Sequence, residues 1–332
     1  MKYPEIVAEI SANHNGSLDT ATLLIDACFA AGADAVKLQT WTADQMVLDS
    51  SLAVPSGPWK GRNMKELYAE AWTPWDWQET FLRNPKVFSS VFDMGALQFL
   101  ESQNCPRYKI ASFEITDLSL IEAVAKTGKP MVISTGMATW QEIREAFVCA
   151  ESNGCKDITL LKCTSAYPAT SVSANLKSMV KMGDALKCKV GLSDHTPGIG
   201  VAVAAVALGA SMIEKHVTLA RACGGLDAGF SIEPMELAQL VVESRRAAEA
   251  LGNAGFEPTK EEVPQLYFRR SLVVTKDLKR GDRVQIECLT TARPAIGIPP
   301  NNLRNVLNKK VKQSIKAGTI LQWDMLWSMF SR

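Results

Sequence analysis

A closed (β/α)8 barrel of the TIM type, followed by a small second domain, is the architecture this sequence predicts. Three observations carry that expectation. Eight β-rich runs alternate with helical patterns between residue 5 and about residue 250; the runs are apolar enough to be buried on both faces; and each ends in polar or ionisable residues.

The first run, residues 6–10, leads into Asn13-His14-Asn15-Gly16, after which Ser17 is placed to cap a helix through Ala31 that closes at Gly32. Runs 35–39, 87–92, 108–112 and 131–135 follow. Thr139 is then placed to cap a helix over 141–153 that closes at Gly154. Runs 158–163, 189–193 and 212–216 complete the eight. A doubly wound open sheet remains an alternative, but it would usually carry a G-x-G-x-x-G turn after its first strand. Ser11-Ala12-Asn13-His14-Asn15-Gly16 is not one. The barrel is therefore expected over 1–252. A polar segment with Gly255, Pro258 and Pro264 reads as a linker over 253–264, and a second domain fills 265–332.

Composition narrows the function classes. Among 332 residues, 36 Lys and Arg face 35 Asp and Glu, so the chain has no field that would gather nucleic acid or an anionic membrane. The basic run Lys309-Lys310-Val311-Lys312 reads as a solvated face. Eight cysteines without a Cys-x-x-Cys pair, and no visible leader or membrane-spanning run, predict free thiols in a cytoplasmic protein that acts on small molecules.

In a barrel of this kind chemistry collects at the carboxyl ends of the strands. Those ends carry Glu9 and His14, Lys37 and Gln39, Ser90, Lys109 with Ser112 and Glu114, Ser134, Ser165 with Tyr167, Ser193 with His195, and Glu214 with His216. Eight converging polar sets imply a pocket for a charged, hydroxyl-rich ligand, because such groups are costly to bury without partners. The three histidines all follow strand-like runs. His195 and His216 end the seventh and eighth, neighbours in a closed barrel, and are the expected ligands of a divalent metal.

Six motifs occur in order: Ala8-Glu9-Ile10-Ser11-Ala12-Asn13-His14-Asn15-Gly16, Lys37-Leu38-Gln39, Tyr108-Lys109-Ile110-Ala111-Ser112, Ile133-Ser134-Thr135-Gly136-Met137, Gly191-Leu192-Ser193-Asp194-His195-Thr196 and Ile213-Glu214-Lys215-His216. Together they resemble the sialic acid synthase family nearly end to end, and Ala292-Arg293-Pro294 with Gly297-Ile298 resembles that family's antifreeze-like (SAF) domain. Ile10-Ser11-Ala12-Asn13, Gly61-Arg62-Asn63 with Leu67-Tyr68, and 70–77 lean towards the branch that makes pseudaminic acid, with N-acetylneuraminate or legionaminate synthesis as the alternative.

The resemblance implies condensation of phosphoenolpyruvate with an acylated amino sugar, here a diacetamido-trideoxy-altrose, with carbon–oxygen cleavage and release of phosphate. It implies a metal on His195 and His216, Mn2+ first, Mg2+ or Co2+ otherwise. Lys37, Ser90, Lys109, Ser112, Ser134, Ser165 and Ser193 match positions that line the phosphoenolpyruvate pocket; Glu9, Tyr167, Asp227 and Arg293 are expected on the sugar, and Glu114 is expected to handle protons on water. It also implies a domain-swapped homodimer. The chain departs from the family at Val91, Leu226 and Ala295 and is short over 78–87, which puts local loop geometry in doubt. Two rival readings stand beside it: a Schiff-base aldolase using Lys37, Lys109, Lys162 or Lys215, and a non-catalytic sugar-binding protein.

Overall fold

The apolar runs become strands that close on themselves. In the computed structural model, which describes residues 3–327, eight parallel strands form a closed barrel in chain order. They are β1 (Glu5–Glu9), β2 (Ala35–Thr40), β3 (Val87–Val91), β4 (Tyr108–Ile110), β5 (Met131–Ser134), β6 (Ile158–Cys163), β7 (Lys189–Asp194) and β8 (Met212–His216). Closure is made by β1 pairing with β8, with Glu9 opposite His216; on its other edge β1 sets Glu9 opposite Lys37 of β2.

Local chemistry sets the helix ends. Ser17 caps Leu18–Ala30 by accepting from the Thr20 N–H, and Gly32 follows with φ +95°. Thr139 and Glu142 form a reciprocal capping box on Trp140–Ser152. β4 stops two residues before the expected end because Ser112–Glu114 coils into a 3-10 turn, which turns Ser112 and Glu114 over the mouth. The short 78–87 segment is accommodated by a seven-residue helix, Trp75–Phe81, that leaves Val87 in register with Val36.

Along each strand successive side chains alternate between the barrel interior and the helix layer. At the amino end the interior is plugged by Arg107, which forks onto Glu5 and lies 4.0 Å over the Phe88 ring. At the carboxyl end the same inward positions carry Glu9, Lys37, Ser90, Lys109, Ser134, Ser193, Glu214 and His216.

The chain divides into two compact units, Met1–Gly252 and Asn253–Arg332. Residues 253–265 are exposed throughout. The second unit packs Leu272, Val274, Val284, Ile298, Val306 and Leu321 around an antiparallel pair, β9 (Ser271–Val274) and β10 (Leu289–Ala292). Val311 is buried in that core while Lys310 and Lys312 face solvent, as expected for a solvated basic run. All eight cysteines are free. No helix among the described residues is long and apolar enough to cross a membrane.

Candidate active site

Two buried lysines and two buried carboxylates form the floor of the pocket. Lys37 is ion-paired with Glu9, and its Nζ lies 3.7 Å from Glu214 Oε1. Lys109 Nζ lies 3.5 Å from that same oxygen, and Ser193 Oγ donates to it at 3.0 Å. Glu214 Oε1 thus gathers both ammonium groups, while Glu214 Oε2 is buried without a partner. Lys37 also donates to Ser90 Oγ at 2.9 Å. Burial pushes the Glu9 carboxyl up; Lys37 opposes this, Glu214 adds to it, and Glu9 rises to about 7. Burial acts on Glu214 in the same direction, but the two lysines outweigh it and hold that carboxylate ionised.

Beside the floor lies a hydroxyl cradle. The Gly136 N–H donates to Ser112 Oγ at 3.0 Å, and a Cβ at Gly136 would stand 2.2 Å from Ser165 Oγ and 2.7 Å from Ser112 Oγ. Glycine is required there by space rather than by φ. Ser134 Oγ is buried and unpartnered. Glu114 overlooks this region; burial raises its carboxyl to about 7 against the pull of Lys109, and its Oε2 is unpartnered.

The third part is aromatic. The rings of His195 and His216 lie 5.2 Å apart, with Tyr167 4.4 Å from His195 and Phe230 5.1 Å from His216. The His195 Nδ1–H donates to the Thr164 carbonyl at 2.9 Å, which leaves Nε2 as the free lone pair. His216 Nδ1 is buried without a hydrogen bond, 3.8 Å from Asp227 Oδ2. Asp227 accepts from the Ser11 hydroxyl, which in turn accepts from Gln39 Nε2 at 3.1 Å. Among the described residues no three His, Cys, Asp or Glu side chains are grouped as a metal set.

Residues 24–255 match the NeuB family and residues 269–326 the SAF domain. The chain belongs to the NeuB family. Its relatives include the pseudaminic acid synthase of Helicobacter pylori, 41% identical over 97% of each chain. Another is the N,N'-diacetyllegionaminic acid synthase of Legionella pneumophila, 36% identical over 96% of this chain and 93% of that one. Among solved structures, the N-acetylneuraminic acid synthetase of Leptospira borgpetersenii in complex with citrate superposes with a TM-score of 0.72, at 30% identity, over 80% of this chain and 90% of that one.

Within this NeuB-family chain the barrel brings together all the site residues expected at its strand ends and loops: Glu9, Lys37, Ser90, Lys109, Ser112, Glu114, Ser134, Ser165, Tyr167, Ser193, His195, His216 and Asp227. Arg293 is exposed at the end of β10 in the second unit. His14 turns elsewhere: its Nδ1 accepts from the Gly16 N–H, and its ring meets Trp77 edge-on at 5.8 Å. Two of the four candidate Schiff-base lysines lie outside the pocket. Lys215 is ion-paired with Asp194 at 2.7 Å and Lys162 is tied to the Cys163 carbonyl. The departure at Val91 leaves Ser90 in register with Lys109, and at Leu226 the main-chain carbonyl accepts from Trp59 Nε1 at 2.9 Å.

Sequence reasoning placed Glu214 among the strand-end groups without giving it a role, and missed three other participants. Glu214 shares the inward parity of His216, a signal present in the chain. Cys163 shares the inward parity of Leu161, and its Sγ lies 3.9 Å from His195 Nδ1. Phe230 ends a three-residue 3-10 turn, Ala228–Phe230, and Trp59 sits in an irregular loop, and no periodicity marks either.

Proposed function

We propose that this NeuB-family chain is a pseudaminic acid synthase, condensing phosphoenolpyruvate with a diacetamido-trideoxy-altrose to give pseudaminic acid and phosphate. The observation that carries the reading is the convergence of Lys37 and Lys109 on one Glu214 oxygen beside the Ser112, Gly136 and Ser165 cradle. Phosphoenolpyruvate brings about three negative charges, and a low-dielectric pocket with two ammonium groups and several donors compensates them.

In the reaction so assigned, the methylene carbon of phosphoenolpyruvate forms a bond to the aldehyde carbon of the open-chain sugar, whose oxygen becomes an alkoxide. Water adds to the former enol carbon and gives up one proton to Glu114, which returns it to the solvent as the alkoxide takes up one; the added hydroxyl then becomes the ketone as the bond from that carbon to the phosphate oxygen breaks, its proton leaving with the phosphate. Lys37 and Lys109 hold the phosphate and carboxylate, Glu214 fixes the two lysines, and Ser90, Ser112, Ser134, Ser165 and Ser193 supply hydroxyls. Tyr167, Asp227 and Glu9 orient the sugar.

The orphaned, buried His216 Nδ1 and the free Nε2 of His195 fit a divalent ion, which His195 and His216 would hold. Mn2+ is our first choice, with Mg2+ or Co2+ as alternatives. Such an ion would polarise the aldehyde oxygen and stabilise the negative charge that develops on it. The same reading includes a domain-swapped homodimer in which Arg293 reaches the sugar's acyl group. It includes a cytoplasmic setting, to which eight free thiols are suited.

The test is phosphate release from phosphoenolpyruvate with a panel of hexosamines, each with Mn2+ and with chelator. Release should depend on the diacetamido-trideoxy-altrose and on the metal. A preference for N-acetylmannosamine or the legionaminate precursor would move the chain to a neighbouring specificity. Covalent trapping by borohydride with turnover indifferent to chelator would overturn the mechanism.

A further inference from the structure

The connection from β2 to β3 runs from residue 41 to residue 86 and does more than join two strands. Its middle folds back on itself: Ala53 bridges Asn63, the Val54 N–H donates to the Arg62 carbonyl at 2.9 Å, and the Met64 N–H donates to the Leu52 carbonyl at 2.8 Å. The tip, 55–61, is exposed except for Trp59. That indole is tied through Nε1 to the Leu226 carbonyl, in the loop after β8, and its ring lies 5.7 Å from Tyr167, after β6, and 6.1 Å from Phe230. A segment leaving β2 therefore reaches across the mouth to the far side of the barrel.

The rings are layered. Tyr167 and Phe230 both meet the two imidazoles, whereas Trp59 meets only Tyr167 and Phe230 and stands one ring further out. A sugar whose aldehyde lies at His195 and His216 would extend its remote end towards Trp59.

We propose that Trp59 is a specificity-determining residue, the wall that packs against the two methyl groups at the remote end of the sugar, C6 and the methyl of the C4 acetamido group, whose N–H and carbonyl point away from the ring. This assignment rests on the functional reading above. An indole offers a large rigid apolar face with one polar edge, and Leu226 already occupies that edge. A substrate with hydroxyls at C4 and C6 would leave them unpaired against the ring, so the wall selects for the deoxygenated sugar.

The experiment compares the wild-type chain with Trp59→Ala and Trp59→Phe in the full-length protein. KM is measured for phosphoenolpyruvate and for the diacetamido-trideoxy-altrose, and N-acetylmannosamine is tested as substrate or as competitive inhibitor. W59A should raise KM for the trideoxy sugar about 10- to 100-fold and leave KM for phosphoenolpyruvate within about twofold, the scale on which a hydrophobic pocket discriminates. Its affinity for N-acetylmannosamine should change far less, and W59F should recover most of the loss. Equal losses for both sugars, a loss shared with phosphoenolpyruvate, or an unchanged sugar KM would each overturn the assignment while leaving the functional reading intact. If the wild-type chain neither turns over nor binds any of these sugars, the reading and the assignment fall together.

Discussion

The two ends of the pocket are built by different means. The charged floor consists of side chains on the strands themselves, Glu9, Lys37, Lys109, Ser193 and Glu214, each held by backbone ladders on both sides. The aromatic end combines two strand-end imidazoles with Tyr167, Phe230 and Trp59 from loops. The floor is thus electrostatically committed and rigid, suited to a ligand of fixed charge. The aromatic end is assembled by packing, suited to selecting among sugars. Glu9 joins them, paired across the sheet with Lys37 on one side and His216 on the other.

If that division is right, damage to the floor should affect both ligands and the fold, whereas damage to the aromatic end should be confined to metal and sugar. The largest effect is expected for Lys37→Met. It leaves Glu9 and Glu214 buried beside a single ammonium, and breaking a buried pair in this way costs about 3–5 kcal/mol. Denaturant unfolding should show that loss, and phosphate release should be abolished; a variant of wild-type stability would mean the floor is better hydrated than its burial implies. His216→Ala comes next. It should abolish Mn2+-dependent phosphate release while urea unfolding of the metal-free protein stays near wild type, and retained turnover would remove the histidine pair from the chemistry.

A smaller effect is expected at Lys215. Its ion pair with Asp194, and its bond to the Thr196 carbonyl at 2.6 Å, clip the segment carrying His195 to the strand carrying His216. Lys215→Met should weaken Mn2+ binding about 10- to 100-fold, the usual cost of losing support behind a ligand. Titration calorimetry on the variant reads this directly; unchanged affinity would make the clip purely structural.

The smallest effect is a pH dependence. Glu114 is raised from 4.5 to about 7 in the folded chain, so between those values the folded state keeps a proton that the unfolded state has lost. Its contribution to stability is therefore present below pH 4.5 and is lost as pH rises to 7. Glu114→Gln should flatten the fall in melting temperature over that window. It should also remove an acid limb near pH 7 from kcat, because the base that takes the water's proton must be ionised. A limb that survives the substitution belongs to another group.

Much of the floor is legible in the amino-acid sequence. Period-two alternation places Lys37 with Gln39, and Glu214 with His216, on one face, and puts Lys215 on the other. Lys215 reads as a candidate nucleophile only if parity is ignored. The same alternation is enough to add Glu214 and Cys163 to the site. It is not enough to exclude His14, which follows the end of β1 in a turn where Ser11 has φ +42° and strand parity no longer applies. Nor does any pattern in 41–86 announce Trp59, flanked as it is by Pro58 and Lys60.

By itself the sequence determined the eight strand-and-helix units, the caps at Ser17 and Thr139, and which strand residues face inward. All of these depend on interactions within a few residues along the chain. Only the tertiary structure decided that Glu9 stands between His216 and Lys37, that three groups meet at one oxygen of Glu214, and that Trp59 crosses the mouth to Leu226. Those contacts join residues far apart in the chain, and they exist because the barrel closes and the loops pack over it.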